Sequence, residues 1–415
     1  MLTQLGINAK AAQFEFMRLA DEDKTIKTKA IESIAAALKE NCSYILEQNA
    51  VDVSLAKQNG MSESMIDRLT LTEKRVFDIS DAALSVAALE DPCGKVVSGT
   101  ERPNGLLIEK VTVPLGVIAV IFEARPNVTV DAAVLCLKAG NSVILRGGKE
   151  AFNSNMAMVK IMREAVKKSG LPADCIQLVE NTSRESATAL MKMNGYVDVL
   201  IPRGGAGLIK ACVENSTVPV IETGTGNCHV YVDKDADLDM AVEIIFNAKT
   251  SRPSVCNACE SMVIHRDVAE KVLPLIEARL SEKGVTIHGD AQTLSIIGGA
   301  IPATDEDFAK EYLSYDISCK IVGDIDEAIE HIMKYTTGHS ECIVTENYSA
   351  MRRFTSGIDA AAVYVNASTR FTDGGEFGFG AEIGISTQKL HARGPLGLPE
   401  LTTFKYLIYG KGQVR

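Results

Sequence analysis

The sequence contains no tryptophan, and aromatic residues make up only 5% of its 415 positions. Carbohydrate clefts and surfaces that stack single-stranded nucleic acid depend on such side chains. Basic charge is scarce too, because 43 Lys and Arg residues are outnumbered by 54 Asp and Glu residues, for a net charge of −11. A general nucleic-acid-binding protein needs a clustered basic face. The sequence therefore argues against both classes.

Long apolar runs are also missing. The stretch from Val117 to Phe122 is among the longest, and it is far shorter than the ~20 residues of a membrane helix. The first residues, MLTQLGINAKAAQFEF, contain no basic segment followed by an apolar core, so we expect no secretory signal. These absences predict a cytoplasmic protein that binds neither membrane nor nucleic acid.

The usual dinucleotide fingerprint, G-x-G-x-x-G after a strand, is absent. The nearest match, Gly378 and Gly380 with Gly384, has the wrong spacing and lies too near the C-terminus to open a β-α-β unit. A nicotinamide cofactor would have to be held by another arrangement of the chain.

Alternating apolar strands and helices are present through most of the sequence. Residues 8 to about 88 show helical spacing of apolar residues, and RPNG resembles the tip of a hairpin whose second strand is Leu106 to Val113. Five strands are then predicted at GVIAVIF, NSVILR, CIQLVE, VDVLIPR and VPVIET, and five more at HVYVD, SMVIH, ISCKIVG, CIVTE and AAVYVNA. Such alternation indicates an α/β fold with parallel sheets, and the tail LTTFKYLIYG has strand character.

Ten cysteines in a long chain of this kind are best interpreted as reduced thiols, most of them small core residues. Cys256 differs, because Arg252 precedes it and Asn257 follows it. A nearby guanidinium and local amides could stabilise a thiolate, which is the nucleophilic form. Cys259 makes the segment a C-x-x-C, so a zinc site and a redox dithiol are alternatives. Zinc would need further ligands at matching spacing, and no second C-x-x-C or paired His motif exists.

Two glycine-containing turns follow predicted strands. In the first, VDVLIP leads into Arg203, Gly204 and Gly205 and then a helix, so backbone N–H groups could approach a phosphate there. In the second, Arg146, Gly147 and Lys149 lie just beyond a strand's carboxyl end, where ligands gather in open α/β sheets. Two cations at that position could hold the extra phosphate of NADP, although ordinary surface charge explains them equally well.

The segment EARPNVTVDAA contributes Arg125 and Asn127. An arginine can grip a carboxylate or phosphate through two hydrogen bonds, and an asparagine amide can donate to a developing oxyanion. Loop structure is an equal alternative for this pair. Glu222 closes the predicted strand VPVIE and lies 34 residues before Cys256 (256 − 222).

Taken in order, these strings resemble the aldehyde dehydrogenase superfamily: PLGV followed by PN, then KAGNSVILR, VYVDKDADLDMA, and a cysteine 34 residues beyond Glu222. Longer strings are similar to one family within it, the gamma-glutamyl phosphate reductases: EARPNVTVDAA, LRGGKEAFNSN, PRGG, GTGNCHVYVD, SRPSVCNACE and DGGEFGFGAEIGISTQKLHARGPLGL. The resemblance covers essentially the whole chain.

The resemblance implies an activity: NADPH-dependent reduction of L-glutamyl 5-phosphate to L-glutamate 5-semialdehyde with release of phosphate, through a cysteine thioester, as the second step of proline biosynthesis from glutamate. By motif position, Cys256 would be the nucleophile and Asn127 the oxyanion donor. Substrate-binding arginines would be Arg125, Arg252 and Arg370. Residues assigned to NADPH or NADP are Arg146, Gly147, Lys149, Arg203, Gly204, Gly205, Glu222 and Glu311.

The resemblance also implies a domain division and partners. Residues 1–97 and 114–228 would form a Rossmann-like cofactor domain, residues 229–393 a catalytic domain, and residues 98–113 and 394–415 an oligomerisation hairpin and tail. A homo-oligomer, dimer or tetramer, is expected, and glutamate 5-kinase is a candidate partner because glutamyl phosphate cyclises readily.

Two features depart from the superfamily pattern. Glu222 occupies the position of the base that activates water in oxidising relatives, whereas a reductase must keep water from its thioester. The tryptophan of the superfamily's P-W-N motif is absent, because Asn127 follows Arg-Pro, and this fits an anionic substrate. The alternatives are a CoA-acylating or ordinary aldehyde dehydrogenase, and a cofactor-binding scaffold without activity, against which Cys256 argues.

Overall fold

Two parallel sheets organise the chain, whose computed structural model describes residues 2–415. The helices and strands up to residue 223 are, in chain order, α1 (Leu2–Glu22), α2 (Ile26–Glu40), α3 (Cys42–Gln58), α4 (Glu63–Leu69), α5 (Glu73–Ala88), β1 (Val96–Glu101), β2 (Leu107–Pro114), β3 (Val117–Phe122), α6 (Pro126–Lys138), β4 (Ser142–Arg146), α7 (Phe152–Lys168), β5 (Ile176–Leu178), α8 (Arg184–Leu190), β6 (Val199–Arg203) and α9 (Ala206–Asn215).

The elements that follow residue 223 are β7 (Cys228–Val232), α10 (Leu238–Thr250), β8 (Cys259–His265), α11 (Arg266–Ser281), β9 (Thr286–Gly289), α12 (Ala291–Ile296), β10 (Ile301–Pro302), α13 (Asp305–Phe308), β11 (Asp316–Val322), α14 (Ile325–Tyr335), β12 (Ser340–Val344), α15 (Tyr348–Gly357), β13 (Ala362–Val365), β14 (Ile385–Ser386), β15 (Gly394–Pro395) and β16 (Thr402–Tyr409).

The chain forms two compact units. The first comprises the residues up to Thr223, Gly378–Gly384 and Pro395–Arg415, and the second comprises Gly224–Phe377 and Ile385–Gly394. The sequence-based division places its boundary at residue 228 and separates the hairpin and tail from both domains, whereas here the hairpin and most of the tail belong to the first unit.

The N-terminal helices each bury an apolar face. In α2, Ile31, Ile34 and Leu38 are buried, which is the three- and four-residue spacing of one helix face. The helical prediction for residues 8–88 is therefore confirmed. Within residues 2–415, no helix has the length and apolar character needed to cross a membrane.

The sheet of the first unit has the parallel order β5-β4-β3-β6. All six residues of β3 are buried, as expected for a central parallel strand covered on both faces. Four of the five strands predicted here are confirmed. The fifth, VPVIET, is wrong: it makes only an isolated bridge between Val220 and Leu200. Pro219 has no N–H to donate to a ladder, which limits pairing at this point.

The sheet of the second unit has the order β10-β9-β11-β8-β7-β12-β13, and every described pairing in it is parallel. The five strands predicted for this half correspond to β7, β8, β11, β12 and β13 and are confirmed. The short elements β9, α12, β10 and α13 were not predicted, because two to six residues are too few to show a period.

A third, antiparallel sheet of the order β1-β2-β16 belongs to the first unit. The hairpin turn at RPNG is confirmed: Gly105 has φ +82°, and the Arg102 N–H donates to the carbonyl of Leu106 at 2.8 Å. The tail forms a strand as predicted and pairs with β2 from Thr402 to Tyr409.

Candidate active site

The cysteine loop, residues 251–258, joins α10 to β8 and carries Cys256. Cys256 is partly exposed, whereas Cys259, the first residue of β8, is completely buried. Burial raises the pKa of the Cys259 thiol, which donates to the carbonyl of Ser261 at 3.3 Å. Of the two cysteines in the C-x-x-C, Cys256 is thus the one that can meet a substrate as a nucleophile.

A buried ion pair closes the base of the cysteine loop. Lys249 at the end of α10 and Glu260 in β8 are 2.5 Å apart, and both side chains are fully buried. Burial raises the pKa of Glu260 to about 7, while Lys249 opposes the rise. The second carboxylate oxygen of Glu260 accepts from the Leu313 N–H at 3.1 Å. The pair holds the two ends of the loop together, and the sequence analysis did not predict it. A Lys and a Glu within two otherwise apolar stretches could have indicated a buried ion pair.

The segment before β7 packs directly on the cysteine loop. A Cβ atom at Gly226 would lie 1.4 Å from the carbonyl oxygen of Cys256, so no other residue fits there. The thiol of Cys228 donates to the same carbonyl at 3.2 Å. Glu311, predicted to bind the cofactor, accepts from the Gly226 N–H at 2.7 Å. One carboxylate oxygen of Glu311 is therefore hydrogen-bonded to the segment that packs on the cysteine loop.

Two arginines of the second unit accompany the cysteine loop. The guanidinium of Arg370 donates to Ser251 Oγ at 3.0 Å and to Asn257 Oδ1, both of them neutral acceptors. Arg252 is exposed. Within residues 2–415, neither arginine forms a salt bridge. Burial and the nearby charge of Arg252 lower the pKa of Arg370, and the nearby charges of Asp373 and then Cys256 oppose this effect. The structure therefore brings Arg252, Arg370 and Cys256 together, and no carboxylate within residues 2–415 is in salt-bridge contact with either arginine.

In the first unit, Arg125 and Asn127 lie at the start of α6, where Pro126 is the first helical residue. The Asn127 amide donates to Asp131 Oδ2 at 2.9 Å, which holds the asparagine in one rotamer and leaves its second N–H for another acceptor. Burial raises the pKa of Asp131 to about 6. Sequence reasoning missed Asp131, although its i+4 spacing from Asn127 indicates contact on one helix face.

The turn after β4 contains Arg146, Gly147 and Lys149. Arg146 donates to the carbonyls of Thr182 and Ser183 at 2.6 and 2.9 Å, so one end of its guanidinium is tied to the loop before α8. A Cβ atom at Gly147 would meet Asn155 Nδ2 at 2.1 Å, which explains the glycine by packing. Lys149 is exposed.

The turn after β6 contains Arg203, Gly204 and Gly205, directly before α9. Arg203 Nε is buried and has no hydrogen-bond partner within the described residues. The Gly205 N–H donates to Glu123 at 2.9 Å, and a Cβ atom at Gly204 would lie 2.5 Å from the same carboxylate. Glu123 was not predicted as part of this turn.

Glu222 does not close a strand as predicted. It lies in a segment without regular secondary structure after the isolated bridge at Val220 and is partly buried. The structure therefore gives Glu222 no strand-end geometry of the kind that the sequence indicated.

Cys256 is partly exposed, and its loop is held by a buried ion pair and lies beside two arginines. This arrangement is typical of an enzyme that acts through a thiol. The family model of the aldehyde dehydrogenase family matches residues 7–322. A curated gamma-glutamyl phosphate reductase from Carboxydothermus hydrogenoformans is 58% identical over 407 residues, which are 98% of each chain.

Solved structures agree. The crystal structure of gamma-glutamyl phosphate reductase from Thermotoga maritima matches with a TM-score of 0.96 and 49% identity, over 100% of this chain and 99% of that one. An engineered glycolyl-CoA reductase with bound NADP+ has a TM-score of 0.70 at 16% identity, over 99% and 96% of the two chains, and shows the fold alone.

The chain belongs to the aldehyde dehydrogenase family and, within it, to the gamma-glutamyl phosphate reductases. Its class is therefore that of oxidoreductases that perform a reductive step of proline biosynthesis.

We predict that Lys249→Met lowers the free energy of unfolding by about 3–5 kcal/mol, because it leaves the Glu260 carboxylate buried without its cation. The pKa of Glu260 then lies well above its value in the unfolded chain, ~4.3. The deficit is accordingly smallest at acid pH and grows as pH rises. Urea unfolding between pH 5 and 8 measures it.

Two variants serve as controls. Adding Glu260→Gln to Lys249→Met removes the stranded charge and should recover part of the loss. Lys320→Met disturbs a pair with Asp290 in which Lys320 is 30% exposed, and it should cost about 1 kcal/mol or less. Equal losses in Lys249→Met and Lys320→Met would contradict the importance of the buried pair.

Proposed function

We propose that this chain reduces L-glutamyl 5-phosphate to L-glutamate 5-semialdehyde with release of phosphate, using NADPH and a thioester on Cys256. The observation that carries the proposal is the pairing of a partly exposed Cys256 with Arg252 and Arg370, two cations with no carboxylate partner within residues 2–415. Arginines that form no salt bridge, next to a nucleophile, suit a substrate with both a carboxylate and a phosphate.

The chemistry follows from the thiolate. Cys256 Sγ attacks the acyl carbon, the new C–S bond forms, and the C–O bond to phosphate breaks with the electron pair leaving on phosphate. The thioester is a better hydride acceptor than a carboxylate. Hydride addition and loss of the thiolate then give the aldehyde. The Asn127 amide and the Cys256 N–H are the proposed donors to the oxyanion, each worth about 3–4 kcal/mol in comparable sites.

The turn after β6 fits a phosphate group of a nicotinamide cofactor. Arg203 has a buried Nε without a partner in the described chain, and α9 begins directly after Gly204 and Gly205. A helix N-terminus with a cation beside it favours an anion. Because the Glu123 carboxylate already accepts from the Gly205 N–H, Arg203 is the group proposed to receive the phosphate. Lys149 of the same unit is an exposed cation, and Arg146 and Gly147 belong to the same turn. When bound, NADPH supplies the hydride.

The remaining assignments rest on the family. Arg125 is proposed to contact an anionic group of the substrate, and Glu222 and Glu311 are proposed to contribute to cofactor binding. Glu311 would do so with the oxygen that does not accept from Gly226. Residues 1–97 and 114–228 are proposed to bind the cofactor and residues 229–393 to perform the acyl chemistry.

The thiol assignment predicts that Cys256→Ser abolishes turnover, because serine is a far weaker nucleophile at neutral pH. The assay supplies glutamate semialdehyde, NADP and phosphate and follows NADPH formation. Cys259→Ser is the matched control; its thiol is buried in β8, so most of the activity should remain. Equal loss in both variants would contradict a single nucleophile, and turnover without phosphate would favour an ordinary or CoA-acylating aldehyde dehydrogenase.

The cofactor assignment predicts that Arg203→Gln raises the KM for NADPH about tenfold or more, equivalent to ~1.4 kcal/mol or more of lost binding, and changes the KM for NADH much less. The reason is the extra 2′-phosphate, which only NADPH carries. Arg184→Gln, on the exposed face of α8, is the control and should leave both constants unchanged. A uniform loss for both cofactors would assign Arg203 to the shared pyrophosphate instead.

A homo-oligomer through the three-stranded sheet is also proposed. Phe404, Tyr406 and Ile408 alternate along β16 on one face and are 49%, 58% and 60% exposed. Contiguous apolar patches of this kind mark interaction surfaces. A transient association with glutamate 5-kinase would shorten the lifetime of the free acyl phosphate. The free thiols of the described cysteines suit the reducing cytoplasm.

The double variant Tyr406→Lys/Ile408→Lys should convert the oligomer to a smaller species, because two charges would be buried without partners. Light scattering after size exclusion measures the mass. Val414→Lys, at a side chain 94% exposed beyond the strand, is the control. An unchanged mass in the double variant would show that this sheet is not the interface.

A further inference from the structure

Asn257 connects the cysteine loop to the segment that carries Arg370. It is 5% exposed, its Oδ1 accepts from the Arg370 guanidinium, and its Nδ2 donates to the backbone carbonyls of Arg370 and Thr372 at 3.2 and 3.0 Å. Its own carbonyl accepts from Thr369 Oγ1 at 2.7 Å. The residue next to the nucleophile therefore fixes both the backbone and the side chain of Arg370.

The side-chain partners of Arg370 differ in charge from those of several other arginines in the chain. Arg163 and Arg279 are held by carboxylates, Asp174 at 2.8 Å and Glu243 at 2.9 Å. Arg370 is held instead by an amide and by the hydroxyl of Ser251. An amide oxygen orients a guanidinium without cancelling its charge, whereas a carboxylate at the same place would form an ion pair.

We propose that Asn257 is a positioning residue that sets the anion specificity of the site. Its amide aims the guanidinium of Arg370 at the substrate while leaving the positive charge available to an oxyanion group, carboxylate or phosphate. This inference rests on the proposed function for the identity of the substrate, but its central prediction concerns anion binding and can be measured without turnover.

The decisive variant is Asn257→Asp, which keeps the size of the side chain and adds one negative charge against Arg370. Iodoacetamide alkylates Cys256, and mass spectrometry of the labelled peptide gives the rate. Inorganic phosphate and L-glutamate are titrated separately as protecting anions. In the wild type at least one of them protects Cys256. In Asn257→Asp the half-protecting concentration of that anion rises at least tenfold. The anion whose half-protecting concentration rises identifies whether Arg370 binds a phosphate or a carboxylate.

Gln292→Glu is the matched control, because it makes the same amide-to-carboxylate change at an exposed position of the same unit. Its half-protecting concentrations should equal those of the wild type. In turnover, Asn257→Asp should raise the KM for the affected anion more than it lowers kcat, which a general loss of structure would not do. Unchanged protection in Asn257→Asp, an equal rise in Gln292→Glu, or no protection of the wild type by either anion would overturn the proposal.

A double-mutant cycle covers the case in which Asn257→Asp does not fold. Asn257→Ala, Arg370→Gln and the combination are compared by the same protection midpoints. A positioning role predicts strong coupling: once Arg370 is gone, losing Asn257 has little further effect. Additive effects would overturn the role. If the anion protects the wild type but the wild type does not turn over glutamate semialdehyde, the proposed function is wrong and the role of Asn257 stands. If the wild type turns over glutamate semialdehyde but no anion protects it, only the role of Asn257 is wrong.

Discussion

One buried interaction, the ion pair between Lys249 and Glu260, frames the cysteine loop. A lone charge in a protein interior is strongly unfavourable, so each partner is stable there only in the presence of the other. Lys249 lies at the end of α10 and Glu260 near the start of β8, so the pair holds the two ends of the cysteine loop together. Within that frame, Gly226 allows the neighbouring backbone to lie against Cys256, and Asn257 joins the loop to the segment of Arg370.

Charge in this protein is arranged by the type of partner that each cation has. Arg146 is tied to two backbone carbonyls of the loop before α8 through one nitrogen of its guanidinium. Within the described chain, the buried Nε atoms of Arg146 and Arg203 have no hydrogen-bond partner, and the side chain of Arg370 donates to neutral acceptors. A net charge of −11 gives no hint of such sites. A few arginines form no salt bridge within residues 2–415, and these are the cations proposed to bind anions.

Most of the fold could be predicted because parallel strands buried on both faces are continuous apolar runs, such as Val117–Phe122. The strand predicted at VPVIET was wrong because the prediction rested on its apolar pattern alone and did not take into account that Pro219 limits hydrogen bonding. The elements of residues 286–308 were not predicted, because they are too short to show a period. At the site, Cys256 and Arg252 could be selected from a local sequence motif. Asp131, Glu123 and Asn257 are distinguished by hydrogen bonds in the folded chain, which a sequence motif does not show.

The sequence by itself determined the fold class and the family, since these depend on local patterns and long motifs along the chain, and it indicated Cys256 as the proposed nucleophile. The tertiary structure decided which cysteine of the C-x-x-C is accessible, which arginines keep their charge unpaired, and which amide orients Arg370. The physical reason is that burial and hydrogen-bond partnership are set by residues distant in the chain, such as Thr372 and Asn257, 115 positions apart. Only folding brings these groups within hydrogen-bonding distance.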